Sequence, residues 1–374
     1  MTNFRTHFRI LGLSSLLWLV GCASTAISTS SPTSADTTTS PQTSTAPAGA
    51  PDTSAVSKVP ATPVPGAAIS TQTTGPDQNV ASAQVSSRSV ALTQPPADLW
   101  ERIRRGFAMP DLEHELVRDR EQWYVTRPDY IFRMTERSRK YLFHIVEELE
   151  RRDMPTELAL LPFIESAFNP QAVSSAKAAG MWQFMPATGK HFELRQNVFR
   201  DDRRDVLAST RAALDYLQKL HNMFGDWHLA LAAYNWGEGS VARAIAKNKR
   251  AGLGTYYAAL GMPAETRLYV PKLQAVKNIV ANPQNFNARL PDIENHPYFQ
   301  SVDITRDLDV AMAAQLAEIP LEDFKALNPS ANRPVILAAG TPQILLPWDN
   351  AIIFQTNLKA RSNSRLASWT AWTA

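Results

Sequence analysis

The chain has 374 residues, 44% hydrophobic and 20% charged, with a formal net charge of +3. That is a globular composition with room for one large domain or two modest ones. The charge is too small for a nucleic-acid-binding surface, although a weakly basic face suits an acidic polymer such as a carboxylated glycan. A single cysteine excludes an internal disulfide, zinc-type Cys/His spacing is missing and the seven histidines are scattered, so no metal or cofactor is expected.

At the N-terminus, Arg5 and Arg9 precede the apolar run ILGLSSLLWLV, which is too short to span a bilayer and has the form of a signal-peptide core. It ends in Leu19-Val20-Gly21-Cys22, which resembles the lipobox of bacterial lipoproteins. The resemblance implies a leader over residues 1–22, lipid on the Cys22 thiol and anchoring to a membrane through acyl chains. Ala23 and Ser24 follow the cysteine, and no aspartate does. By resemblance to Gram-negative sorting signals, this implies the periplasmic face of the outer membrane. Residues 23–96 are dominated by Ser, Thr, Pro, Ala and Gly, which reads as a disordered linker with a reach on the order of 45 Å.

Order is expected from about Asp98. DLWERIRRGF places Leu99, Ile103 and Phe107 at helical spacing behind an Asp98 cap. PDYIFRMTERSRKYLFHIVEELERRDM reads as one helix, and PTELALLPFIESAF as a shorter one with Pro155 near its start. DVLASTRAALDYLQKLHNMFG is amphipathic, capped by Asp205 and ended by Gly225. WHLALAAYNWG and ETRLYVPKLQAVKNIVANP follow, and Pro271 must start or kink the latter. Strand-like alternation is rare before residue 290, so residues 97–290 read as one all-α domain. Residues 291–350 change texture: HPYFQSVDIT and TPQILLP read as strands around two short helices, a β-α-α-β order. Residues 351–374 form a tail; its end, RSNSRLASWTAWTA, has no usable pattern. The fold class is mostly α, with a small α+β C-terminal region.

One stretch carries chemistry. In LLPFIESAFNPQAVSSAKAAGMWQFMPATGKHF, Glu165 follows Leu160, Leu161, Phe163 and Ile164. Burial among such residues raises a carboxyl pKa, and a glutamic acid still protonated near neutrality can donate a proton to a leaving oxygen. Spacing alone favours a glutamate on the wet side of an amphipathic helix. The residues that follow, ESAFNPQAVSSAKAAGMWQFMPAT, resemble the signature of the family 1 lytic transglycosylases. LALAAYNWGEGSV and ETRLYVPKLQAV resemble the second and third blocks of that family, the third in its membrane-bound D-type form, and all three occur in order.

The resemblance implies a lysozyme-like helical domain and a role for each matched residue. Glu165 matches the lone catalytic acid/base. Ser174 matches a serine that helps hold the substrate N-acetyl group or the acid. Gln183 and Met185 match cleft residues lining the saccharide sites. Tyr234 and Asn235 match a tyrosine and an amide facing the glycan, and Tyr269 a tyrosine near the acid. The implied reaction cleaves peptidoglycan glycan strands between N-acetylmuramic acid and N-acetylglucosamine without water, giving 1,6-anhydro ends. Such a route needs one carboxylic acid, whereas ordinary glycosidases use two.

Ala176, Ala178, Ala179 and Gly180 are small enough for close approach of glycan or backbone, and Trp182, Tyr234 and Trp236 offer either flat faces for sugars or core packing. Asp201 and Asp202 are candidates for a second catalytic carboxylate, or for solvated loop charges. Residues 296–347 resemble a LysM glycan-binding module with Thr305-Arg306-Asp307 at its usual opening glycine, and read as either a glycan binder or a packing extension. The alternatives are a muramidase acting with water on the same bond, a non-catalytic glycan-binding lipoprotein and a structural tether.

Overall fold

The computed structural model describes residues 96–361. The leader, Cys22, the linker as far as residue 95 and residues 362–374 lie outside the described residues.

Helix α1 (Leu99–Arg105) starts where the Asp98 carboxylate accepts from the amides of Trp100 (3.3 Å) and Glu101 (3.1 Å). It buries Leu99, Trp100 and Ile103. The chain returns to it from the far end of the domain: the Leu99 amide donates to Ile293 O, and Trp100 Nε1 donates to Pro291 O. Helix α2 (Glu115–Val125) then leads to α3 (Pro128–Ser138) and α4 (Leu142–Glu150). The sequence pattern predicts a single helix over these last two, and the structure breaks it at Arg139–Tyr141. Neither proline nor glycine marks the break. Two hydroxyls compete with the backbone ladder there: Thr135 Oγ1 donates to Ile131 O (2.9 Å) and Ser138 Oγ to Thr135 O (2.6 Å). The break lets Tyr141 turn inward, where its OH donates to Ala326 O (2.9 Å).

The next predicted helix is also divided. Thr156–Leu160 is a 3₁₀ turn, and α5 runs from Leu161 to Ser166. Pro162 stands in its first turn, where a missing N–H breaks no ladder bond. Helix α6 (Pro186–His191) follows a long loop. Helix α7 (Val206–Phe224) has both expected ends: Asp205 accepts from Ala208 N at 2.9 Å, and Gly225 is left-handed with φ 67°. Helix α8 (Trp227–Trp236) is capped by Asp226, which accepts from Leu229 N at 2.8 Å. Gly237 (φ 90°) separates it from α9 (Glu238–Arg250). A short helix, α10 (Ala264–Arg267), precedes α11 (Tyr269–Ala281), and Pro271 sits in the first turn of α11, so it starts that helix and does not kink it.

In the C-terminal region β1 (Phe299–Asp303) pairs antiparallel with β4 (Gln343–Pro347), Val302 facing Ile344. Between them come β2 (Leu308–Asp309), α12 (Val310–Leu316), α13 (Leu321–Leu327) and β3 (Val335–Ile336). The β2–β3 ladder is an addition to the expected β-α-α-β order. Residues from 351 onward, expected to be a tail, continue helix α14 (Trp348–Ala360). Its apolar face is narrow: Ala351 and Phe354 are buried while Ile352 stands exposed, so the sequence pattern is faint. Phe354 packs with Val302, Leu316, Phe324 and Leu346 in a small second core. Leu327 and Leu345 join the larger helical core instead, so the two regions share apolar packing.

Asp226 caps the helix that carries Tyr234 and Asn235. Asp226→Ala is expected to lower global stability by about 1 kcal/mol, read as a reduced urea midpoint with an unchanged slope.

Candidate active site

Glu165 is in the last turn of α5. The chain turns sharply just beyond it, with Ala167 (φ 51°) and Phe168 (φ 55°) both left-handed although neither is glycine. Each such residue stores roughly 1–3 kcal/mol and persists only when its surroundings hold it. Phe168 is held by full burial and an edge contact with Phe163 at 4.5 Å between ring centres. Beside the acid, Ser166 Oγ donates to Met181 O (3.0 Å) and accepts from Asn169 N (3.2 Å).

Protein atoms crowd the Glu165 carboxyl, yet the residue keeps some solvent access. Burial pushes its pKa up to about 7. The Tyr269 hydroxyl donates to Glu165 Oε1 and opposes that shift, because it favours the charged form. Glu265 raises the pKa further by repulsion, and Lys272 lowers it. Glu165 is therefore less solitary than the sequence suggests. Glu265 is exposed, but helix α10 carries it within electrostatic range. The E-T-x-x-Y spacing was the available signal, since it sets Glu265 one turn ahead of Tyr269.

Tyr234 is also coupled to Glu165, and burial and that carboxyl together hold its phenol well above the ordinary range. Its OH donates to Trp182 O (2.9 Å), and its ring lies 5.4 Å from that of Tyr216. Asn235 is oriented by Thr266, whose Oγ1 donates to Asn235 Oδ1 at 2.7 Å. The Tyr257 OH in turn donates to Thr266 O (2.6 Å) and accepts from Val270 N. Thus α8 and the α10–α11 junction converge on Glu165.

Ser174, Gln183 and Met185 lie on the long loop before α6 and make no hydrogen bond to Glu165. Ser174 Oγ accepts from Ala178 N (3.0 Å), closing a turn. Gln183 is left-handed (φ 50°), and its Nε2 donates to Gly180 O at 2.8 Å. Met185 is 45% exposed, an apolar surface free to meet a ligand. Trp182 is wholly buried, with Nε1 donating to Thr210 Oγ1 (3.1 Å), so it presents no face to a sugar. Trp236 is half-buried against the main core. Asp201 and Asp202 are engaged elsewhere: Asp201 pairs with Arg203, and Asp202 with Arg200 and Arg195.

The buried Glu157 is likewise structural. It accepts from the amides of Ala108 (3.0 Å) and Met109 (2.9 Å) and pairs with Lys277. The cavity of about 280 Å³ between residues 195–208, which run from a loop into the start of α7, and the C-terminal region does not include Glu165.

This arrangement can hold a neutral carboxylic acid beside a phenol, with a hydrogen-bonded loop nearby. Residues 144–255 match the family model "Transglycosylase SLT domain", and residues 298–363 match "Lytic transglycosylase MltD, LysM-like domain". The first match is to a transglycosylase domain, and the second to a LysM-like domain described for lytic transglycosylase MltD. It is similar to membrane-bound lytic murein transglycosylase D of Escherichia coli (strain K12), 38% identical over 258 residues, which cover 69% of this chain and 57% of that protein. Membrane-bound lytic murein transglycosylase C of Glaesserella parasuis is 31% identical over 142 residues, 34% of this chain and 38% of that one. The chain thus matches little more than half the length of its D-type relative.

A raised carboxyl pKa makes stability depend on pH. The folded state holds its proton from the unfolded value of 4.5 up to about 7. Stability from this group is therefore complete below pH 4.5 and is lost as pH rises to 7, by about 3 kcal/mol in total. Glu165→Gln, neutral throughout, should lack this loss. Denaturant titrations are expected to show the variant gaining on the wild type between pH 4.5 and 7 and keeping a constant lead above.

Proposed function

We propose that this protein is a peptidoglycan lytic transglycosylase, and the observation that supports this best is the Glu165 carboxyl, crowded by protein atoms and poised near neutrality against the Tyr269 hydroxyl. In this reading the protonated Glu165 donates to the oxygen joining N-acetylmuramic acid to N-acetylglucosamine, and the C1–O bond breaks. The muramoyl N-acetyl oxygen supports the cationic carbon from within the sugar. Glu165, now a carboxylate, takes the proton of the C6 hydroxyl, and O6 closes onto C1. The products are a free N-acetylglucosamine end and a 1,6-anhydromuramoyl end. The proton count balances, and no water enters.

Tyr269 fixes the carboxyl and stabilises its charged form after the first proton transfer. Tyr234, Asn235 and the loop carrying Ser174, Gln183 and Met185 serve as substrate contacts, with the half-buried Trp236 at the edge of the cleft. We assign residues 97–290 to the catalytic domain and residues 291–361 to a LysM-like region that binds or supports the glycan. Cys22 is the proposed lipid attachment point, which would hold the enzyme at the periplasmic face of the outer membrane. Among the described residues no helix is long and apolar enough to cross a membrane.

One observation favours a second reading. Glu265 is a second carboxylate acting on Glu165, and a second acid is what a hydrolase uses to position water. Product masses decide between the two. The transglycosylase gives anhydro ends from purified sacculi; a muramidase gives reducing ends that take up ¹⁸O from labelled water.

Glu165→Gln should reduce product release by about 10²- to 10⁴-fold or more, the usual contribution of a general acid. Because the protonated acid starts the reaction, kcat/KM should fall as pH rises above about 7. Glu265→Gln removes a group that raises the Glu165 pKa, so this falling limb should move to lower pH, and Lys272→Met should move it higher. Initial rates of anhydromuropeptide release between pH 5 and 9 measure both shifts.

A further inference from the structure

The segment FRDDRRD is left over from the chemistry, since Asp201 and Asp202 are both engaged by arginines. Its centre is Arg203, a buried arginine with its side chain 10% exposed. The guanidinium is divided between two tasks. Nε and Nη2 grip both oxygens of Asp201 at 3.0 and 2.7 Å. Nη1 donates to Lys177 O (2.7 Å) and Phe184 O (3.2 Å). Those two carbonyls are the feet of the loop that carries Trp182 and Gln183. The loop is closed on itself by reciprocal bonds between Ala179 and Phe184, both at 3.0 Å. It rests directly on the Arg203 backbone: a Cβ at Gly180 would meet Arg203 O at 1.9 Å, and Gly180 is left-handed (φ 84°). Only glycine fits there.

Two bonds run from this loop toward the acid. Met181 O accepts from Ser166 Oγ, next to Glu165, and Trp182 O accepts from Tyr234 OH, the phenol coupled to Glu165. On its other side the clamp touches the C-terminal region. The Asp201 amide donates to Ser330 O (2.9 Å), Asn332 N to Phe199 O (2.7 Å), and Asn332 Nδ2 to Asn197 O (2.8 Å).

We propose that Arg203 is a positioning residue for the reaction, and that through Asp201 the C-terminal LysM-like region braces the loop beside Glu165. This rests on the transglycosylase reading and extends it. The fork onto the Asp201 carboxylate is strong and geometrically specific, and it aims the remaining Nη1 at the two loop carbonyls. Its effect on chemistry runs through Tyr234. While the loop is fixed, Trp182 O holds the Tyr234 hydroxyl. When the loop loosens, that hydroxyl is free to donate to the Glu165 carboxylate, which favours the charged form and depletes the acid.

The test compares the full chain with Arg203→Gln and Arg203→Lys, using three readouts. Hydrogen exchange over residues 172–185 should quicken in Arg203→Gln while helix α7 stays protected, which shows that the fold survives. The rate of anhydromuropeptide release should fall roughly tenfold to a hundredfold, as expected when a reacting group is misplaced by about an ångström. The falling limb of the pH profile should move to lower pH, and Arg203→Lys should restore part of both effects. Unchanged exchange in a folded Arg203→Gln protein overturns the proposal, and so does a loosened loop with wild-type rate and pH profile. A wild-type chain that releases no anhydro product overturns the functional reading instead; exchange alone then decides whether Arg203 fixes the loop.

Discussion

Much of this structure exists to keep one carboxyl group out of water without isolating it from substrate. Desolvation disfavours the charged form of Glu165, and a hydroxyl from Tyr269 limits how far. The balance leaves a group able to give a proton and then take one back near neutral pH. Neither influence alone would do so. Full burial without the phenol would hold the proton too tightly to release it, and the phenol in open water would leave an ordinary carboxylate.

The fold supplies that balance from several directions. Helix α5 delivers Glu165 in its last turn and then stops, with Ala167 and Phe168 strained into left-handed geometry and Phe168 locked by burial. Helix α8 brings Tyr234, and the α10–α11 junction brings Tyr269, while Thr266 and Tyr257 tie these two pieces together. Beside them runs the loop that carries Ser174, Gln183 and Met185, and the Arg203 guanidinium donates to two of its carbonyls. Rigid helices thus place the acid and its phenols, and a braced loop places the polar groups. That division suits a site whose proton donor must be fixed and whose substrate is a long polymer.

Some helix ends were legible in the sequence, while the side-chain caps at His114 and Asp226 were not picked out. Asp98, Asp205 and Gly225 mark their boundaries because capping is local chemistry. The break at Arg139–Tyr141 was not legible, since no proline or glycine encodes it; the Thr135 and Ser138 hydroxyls compete with the ladder there, and burial of Tyr141 is a tertiary demand. Helix α14 was hidden for a different reason: Phe354 and Ala351 make too small an apolar face to stand out. At the site, the apolar residues before Glu165 do signal a raised pKa, but the contribution of Glu265 depends on how α10 is placed. The burial of Trp182 could not be told from sugar stacking by type alone, because an indole serves either role. The role of FRDDRRD was likewise invisible: its charges look solvated until the loop they hold is seen.

The proton affinity of Glu165 can be measured without any substrate. Carbon-13 NMR of the full chain labelled at glutamate side chains, assigned by comparison with Glu165→Gln, would titrate this carboxyl directly. A midpoint near 7 is the expected result. A midpoint in the ordinary carboxylate range, near 4.5, would mean that Glu165 is charged at neutral pH and cannot begin the reaction as its acid.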